Sequence, residues 1–377
     1  MNIRIFVAKT IKILLSWTKI LPVQKNKILF FSYQGKSYSC NPKYIAEELL
    51  LNNDSVGVTI YFALKNPNKY DDVPQKLNLI KYGSLKFFYC FFTSKIIVTN
   101  SSNLPYLPKK VNQVLINTWH GGGAYKSEFY NLKLTNFKNR DVDYFISSSY
   151  KFCELLQRST GVPREKFVNI GMPRNDILIK FSQSRADYIK EKLLLESDVK
   201  YLLYAPTYRE CQGSIIYPDF DDIVQILSER FSGKWKVLVR GHYNVVNEFK
   251  AYKNNNVIDV SLYEDMQEIL LISDAVITDY SSLIWDYSFL NRPCFLFVPD
   301  LEEYTKNRGF YYPLETWGFP YAKNMGELLE IIRNFDINKF SKSMDEHHRM
   351  LGNCEDGTAS HQVASLILDC IQRGYCK

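Results

Sequence analysis

The chain has 377 residues, 46% hydrophobic and 15% aromatic, with no low-complexity tract; this excludes extensive disorder and is too much for one ordinary core, so two domains are expected. The net charge of +7 comes from scattered lysines, and no nucleic-acid-binding signature occurs, so the expected partners are anionic small molecules or a membrane surface and not nucleic acid. Eight cysteines without a C-x-x-C pair, several inside apolar runs, point to a reducing compartment with neither a zinc site nor a disulfide frame.

Residues 1–24 pattern as an amphipathic helix. Ile3, Phe6, Val7, Ile11, Leu14, Trp17 and Leu21 share one face, and Lys9, Lys12 and Lys19 the other. The lysines interrupt the apolar run, which makes it too charged to span a bilayer, and no small-x-small cleavage site follows. Such a helix suits the interface of an anionic leaflet. The plainer reading is a helix packed on its own domain.

From residue 27 strands alternate with helices. "KILFFSY" reads as a buried strand, and "NPKYIAEELL" as a helix entered through Asn41 and Pro42. The aromatic helix "SLKFFYCFF" and the strands "VTIYFAL", "KIIVTN", "VNQVLINTW", "VDYFISSS" and "KFVNIG" complete a first parallel sheet covered on both faces. A charged helical stretch from Pro173 to Val199 connects to a second alternation built on "YLLYAP", "KVLVRGH", "NNVIDVS", "AVITDY" and "RPCFLFVP". The expected fold is α/β, two Rossmann-like doubly wound lobes: 25–180, then 181–377 with a helical tail, after the membrane-associating helix 1–24.

Candidate chemistry falls at strand C-termini, where open parallel sheets bind ligands. His120 closes the strand "VNQVLINTW" and is followed by Gly121, Gly122, Gly123 and, shortly after, Lys126. Glycines let backbone approach a substrate closely, and an imidazole there accepts a proton near neutral pH; the competing reading is a hydrogen-bonded structural histidine. In "VLVRGHYN", Arg240 and His242 follow a buried strand, where an arginine fork and an imidazole suit phosphate oxygens. In "SDAVITDYSSLIWDY" the strand ends at Thr278, Asp279 and Tyr280 turn, and Ser281 and Ser282 open a helix. Free N–H groups, the helix dipole and two hydroxyls make a phosphate cradle there, compatible with ordinary capping by Asp279 or Ser281. Glu302, Glu303 and Arg308 in "PDLEEYTKNRGFYY" suit ribose or phosphate binding, or merely a helix start. Arg209 in "APTYRE" either meets the donor's charge or is a surface residue, and His347 and His348 read as solvated positions on a charged helix. No metal-binding spacing occurs in the sequence.

The ordered blocks "TWHGGG", "GMPRND", "YAPTYR", "VRGHY", "SDAVITDYSSLIWDYSFLNRPCFLF", "DLEEYTKNRGFYY" and "EDGTASHQV" resemble the CDP-glycerol glycerophosphotransferases of teichoic acid and capsule synthesis, over nearly the whole chain. The resemblance implies a metal-independent, glycosyltransferase-B-like fold with a cleft between its lobes and no cofactor, held peripherally at the cytoplasmic face of a bacterial membrane. The implied reaction transfers a polyol phosphate from CDP-glycerol or a related CDP-polyol to a hydroxyl of a lipid-linked saccharide or growing polymer, releasing CMP. On that resemblance His120 is the base, His242 lies near the donor pyrophosphate, Ser281 and Ser282 supply the phosphate-binding hydroxyls, and Arg308 falls in a donor-side block. Gly122-Gly123 stand where the family often has Thr-Pro, and "TWGFPYAKN" replaces a frequent Pro-Gly-Pro. The alternatives are a CDP-ribitol or nucleotide-sugar transferase of the same fold, and a non-catalytic scaffold of a polymer-assembly complex.

Overall fold

The computed structural model describes residues 18, 20–51, 57–70, 72–101, 107, 109–123, 125–126, 142–207, 217–241 and 256–372. Residues 1–17 and 19 of the proposed membrane helix therefore lie outside the described residues, and Arg209 and His242 lie outside them too. Among the described residues no helix is long and apolar enough to cross a membrane.

The chain divides into two compact units. Unit 1 comprises Met1–His120, Leu132–Asp176 and Cys354–Lys377, and unit 2 comprises Gly121–Asn131 and Ile177–Asn353. Unit 1 holds β1 (Gln24–Phe31), β2 (Thr59–Leu64), β3 (Asn78–Lys81), β4 (Ser94–Thr99), β5 (Val114–Asn117), β6 (Tyr144–Ser147) and β7 (Phe167–Asn169). They form one sheet in the order β3-β2-β1-β4-β5-β6-β7, and every pairing is parallel. Unit 2 holds β8 (Val199–Tyr204), β9 (Lys234–Val239), β10 (Val257–Asp259), β11 (Ala275–Thr278), β12 (Cys294–Phe297) and β13 (Tyr321–Ala322). Its order is β10-β9-β8-β11-β12-β13, again all parallel.

Continuous apolar runs produce this arrangement because a sheet with helices on both faces offers no polar side to alternate toward. Every residue of β4, β5, β11 and β12 is buried. In each sheet the strand order reverses once, between β1 and β4 and between β8 and β11. Such switch points leave a crevice at the strand C-termini, and His120, Arg240 and Ser281 follow strands that end there.

Two edge strands escape the sequence reading. β3 is four residues with one buried, and β13 is two residues long, so neither gives an apolar run. One domain assignment is corrected. The final helix, Ala359–Gln372, was expected on the C-terminal domain, but Val363, Ala364, Ile367, Cys370 and Ile371 join the unit 1 core beside Ile28, Ile45 and Ile96. Its amphipathic pattern specifies an apolar partner without saying which.

Candidate active site

In unit 1, β1, β4 and β5 end together around His120. The Nδ1 of His120 lies 2.8 Å from the backbone carbonyl of Asn100, the residue after β4. A carbonyl only accepts, so Nδ1 carries the proton and Nε2 keeps its lone pair. Trp119 stacks on the imidazole with centroids 4.8 Å apart, and the Tyr33 ring meets its edge at 5.6 Å. His120 is exposed, yet protein atoms crowd the ring closely enough that desolvation lowers its pKa; the Asn100 hydrogen bond opposes this and the Arg174 charge reinforces it. Neutral imidazole is therefore the form present at neutral pH.

The backbone around this ring is held in unusual conformations. Tyr33, Gln34, Cys40 and Trp119 have φ of 47°, 56°, 62° and 51°, a left-handed region that costs a residue with a Cβ about 1–2 kcal/mol. Buried amides hold two of them, Tyr33 and Trp119. Asn100 Oδ1 accepts from the Tyr33 N–H at 2.8 Å, and Asn117 Oδ1 accepts from the Trp119 N–H at 2.8 Å. Asn41 Nδ2 donates to the carbonyls of Thr118 and Trp119, each at 3.0 Å. Tyr33, Asn100 and Arg174 were not singled out from sequence, and Asn41 was read there only as a helix entry. A buried asparagine at a helix start was the available signal for Asn41; nothing in the sequence marks a positive φ at Trp119.

In unit 2 the turn after β11 is the counterpart. Asp279 is 5% exposed, and its carboxylate accepts from the Thr207 N–H at 2.8 Å, the Thr207 hydroxyl at 2.5 Å and the Tyr280 N–H at 2.6 Å. It thus ties the segment after β8 to the turn after β11, across the switch point. The Thr278 hydroxyl donates to the Ala205 carbonyl at 2.6 Å from a fully buried position. Both residues were expected to bind the donor; their polar atoms instead face protein, and they shape the turn. Ser281 and Ser282 are half-buried, and Ser282 makes no capping bond from its side chain. Tyr280 stacks on Tyr304 at 3.7 Å, and its hydroxyl donates to Asp300 at 2.9 Å, fixing the turn from below.

Arg240 is half-buried after β9, and its Nη2 donates to the Glu264 carbonyl at 3.3 Å. Glu303 is exposed, on the helix Leu301–Asn307 that Arg308 closes. After Arg308, Phe310 is half-buried against Tyr304 and Trp317.

The glycine loop also departs from expectation. Gly122 and Gly123 are buried within unit 2; a Cβ on Gly122 would meet the Trp285 indole at 2.1 Å, and Gly123 has φ +70°. Glycine at 122 is required by packing on Trp285 rather than by room for a substrate. Lys126 forms an antiparallel bridge with Phe310, and the Tyr311 N–H donates to the Tyr125 carbonyl at 3.0 Å, so this loop is zipped onto the segment after Arg308. The Tyr125 hydroxyl shares a 2.8 Å hydrogen bond with His347 Nε2. His347 is buried and His348 half-buried, stacked on Phe289 and bonded to Ser288 at 2.7 Å, which corrects the solvated reading of both. Among the described residues no cluster of three metal-ligating side chains occurs.

Two Rossmann-like parallel sheets, one with a neutral imidazole at its strand ends and the other with a hydroxyl-bearing turn, make up a glycosyltransferase-B-like fold. Residues 13–369 match the family described as CDP-glycerol:poly(glycerophosphate) glycerophosphotransferase, and the chain belongs to that family. It is 32% identical over 376 residues to a teichoic acid poly(glycerol phosphate) polymerase of Staphylococcus epidermidis, covering 92% of this chain and 51% of that protein, so it spans about half that relative's length. A protein of the same description from Bacillus spizizenii is 31% identical over 375 residues, with 93% of each chain covered. The structure of a histidine-to-asparagine variant of the wall teichoic acid polymerase TagF, soaked with CDPG, superposes with a TM-score of 0.83 at 28% identity over 99% of both chains.

Proposed function

We propose that this member of the family transfers glycerol phosphate from CDP-glycerol to a hydroxyl of a lipid-linked saccharide or growing teichoic acid or capsule polymer, with His120 as general base. The observation that carries the reading is the His120–Asn100 hydrogen bond, which leaves an unprotonated Nε2 on an exposed, neutral ring.

The acceptor hydroxyl gives its proton to Nε2 while its oxygen attacks the phosphorus that bears glycerol. The bond from that phosphorus to the CMP oxygen breaks, and CMP leaves with the electron pair. Charge on the departing phosphate is met by Ser281, Ser282 and their backbone N–H groups, with His242 and the arginines Arg209, Arg240 and Arg308 as further cationic or hydrogen-bonding partners. Asp279 and Thr278 act one step back, by holding the turn. Every step is assigned to side chains and substrates, without a cofactor. Residues 1–24 hold the enzyme on the anionic cytoplasmic leaflet, where a lipid-linked acceptor is presented.

A donor panel tests the reading. Purified protein with a membrane extract as acceptor is expected to release CMP from CDP-glycerol faster than from CDP-ribitol, and to ignore nucleotide sugars. Faster turnover with CDP-ribitol would overturn the polyol, and release without any acceptor would overturn the transfer.

A further inference from the structure

The turn Met172–Asp176 joins two parts of unit 1 that are distant in sequence. On one side, Arg174 Nη1 donates to the carbonyl of His120 itself at 2.5 Å and reaches Cys40 Sγ at 3.5 Å. The Arg174 N–H donates to Asn41 Oδ1 at 3.1 Å, and Asn41 in turn holds Thr118 and Trp119. On the other side, the Glu355 carboxylate accepts from the Met172 N–H at 2.8 Å and from Asn175 Nδ2 at 3.0 Å. Asp176 accepts from the N–H groups of Ala359 and Ser360, and the Ser360 hydroxyl donates to the Pro173 carbonyl.

Arg174 is 4% exposed, and Asn41 and Asn175 are fully buried, so these bonds form where solvent does not compete and each fixes geometry strongly. Asn100 grips the ring of His120 and Arg174 grips its backbone carbonyl. Two fixed points on one residue set the direction of Nε2.

We propose that Arg174 is a positioning residue for His120, kept in register by Glu355 of the tail segment. The proposal rests on the reading of His120 as the base. A buried guanidinium so near also opposes a second positive charge, which keeps the imidazole neutral. Within unit 1 the ring is faced by Tyr33, Trp119, the Asn100 carbonyl and Arg174, of which Arg174 is the charged group.

The test uses the full chain with isotope-labelled histidines. The pKa of His120 is read by NMR titration in the wild type and in Arg174→Gln, its signal identified by its loss in His120→Asn, beside kcat and KM for CMP release as functions of pH. Arg174→Gln is expected to raise the His120 pKa toward the ordinary imidazole value and to lower kcat roughly tenfold or more with little change in KM for the donor. Arg174→Lys keeps the charge but not the fork, so the pKa stays low while kcat falls. Glu355→Ala lowers kcat as Arg174→Gln does, and Glu355→Gln restores it, since the Asn175 amide can turn to present its oxygen. An unchanged pKa and kcat in Arg174→Gln overturn the proposal; where that variant does not fold, an unchanged kcat in Arg174→Lys does so. A pKa that moves while the pH dependence of the rate does not would leave Arg174's hold on the ring standing and remove His120 as the base.

Discussion

His120 Nδ1 and the Asn100 carbonyl lie 2.8 Å apart, and that one bond decides which ring nitrogen is free to act. Desolvation, reinforced by Arg174, lowers the pKa of the ring, so the base form is lost only when pH falls through a value below the ordinary 6.5. The acid limb of kcat/KM is expected below pH 6.5, with activity flat from there to neutrality. A limb above 6.5 would contradict the desolvated environment of the ring.

Asp279 offers a carboxylate to three donors, from Thr207 and Tyr280, in a nearly dry site. Asp279→Asn puts an amide NH₂ where donors converge, which costs about 1–3 kcal/mol of stability. Urea unfolding should show this loss. Steady-state kinetics should show KM for CDP-glycerol rising more than kcat falls, because the turn that presents Ser281 and Ser282 loosens while His120 is untouched.

Gly122→Ala drives a methyl group into the indole of Trp285, which is itself fully buried. Overpacking of this kind costs about 1–3 kcal/mol. The expected result is a lower unfolding midpoint. Gly57→Ala is the comparison for space alone, since a Cβ there meets nothing within 4 Å; its φ of +62° adds strain without a clash.

His347 and His348 have pKa values pulled down to about 4, chiefly by burial, and in His347 also by the neighbouring His348. Because the folded values lie below the unfolded ones, the stability they contribute is complete above pH 6.5 and is lost progressively as pH falls toward 4. At about 1.4 kcal/mol per pKa unit the loss is several kcal/mol for the pair, and repulsion between the two imidazoliums adds to it. Unfolding free energies measured at pH 7 and pH 4.5 should differ in this direction, and His347→Phe should flatten the difference. Tyr125→Phe is expected to weaken the anchor of the glycine loop by about 1 kcal/mol.

Both sheets were legible because their inner strands are unbroken apolar runs, and the turn at Asp279–Ser282 followed from a strand ending against a helix start. The burial of His347 was also written in the sequence: Phe340, Met344, His347 and Leu351 share one helical face and all are buried, although the charged neighbours Asp345, Glu346 and Arg349 suggest solvent. The cause of Gly122 was not legible, because its partner Trp285 is far along the chain. Nor were the roles of Asn41, Asn100 and Arg174, since a hydrogen bond to a backbone carbonyl leaves no sequence pattern. Asp279 was placed correctly at the turn, but its function there depends on Thr207 approaching from another strand.

The most direct measurement of the central claim is acceptor-dependent CMP release from CDP-glycerol by the wild type and by His120→Asn, with circular dichroism confirming that the variant folds. Loss of turnover by roughly a hundredfold or more, with donor binding retained, is the predicted result for removal of a general base. A folded His120→Asn that turns over like the wild type would contradict it.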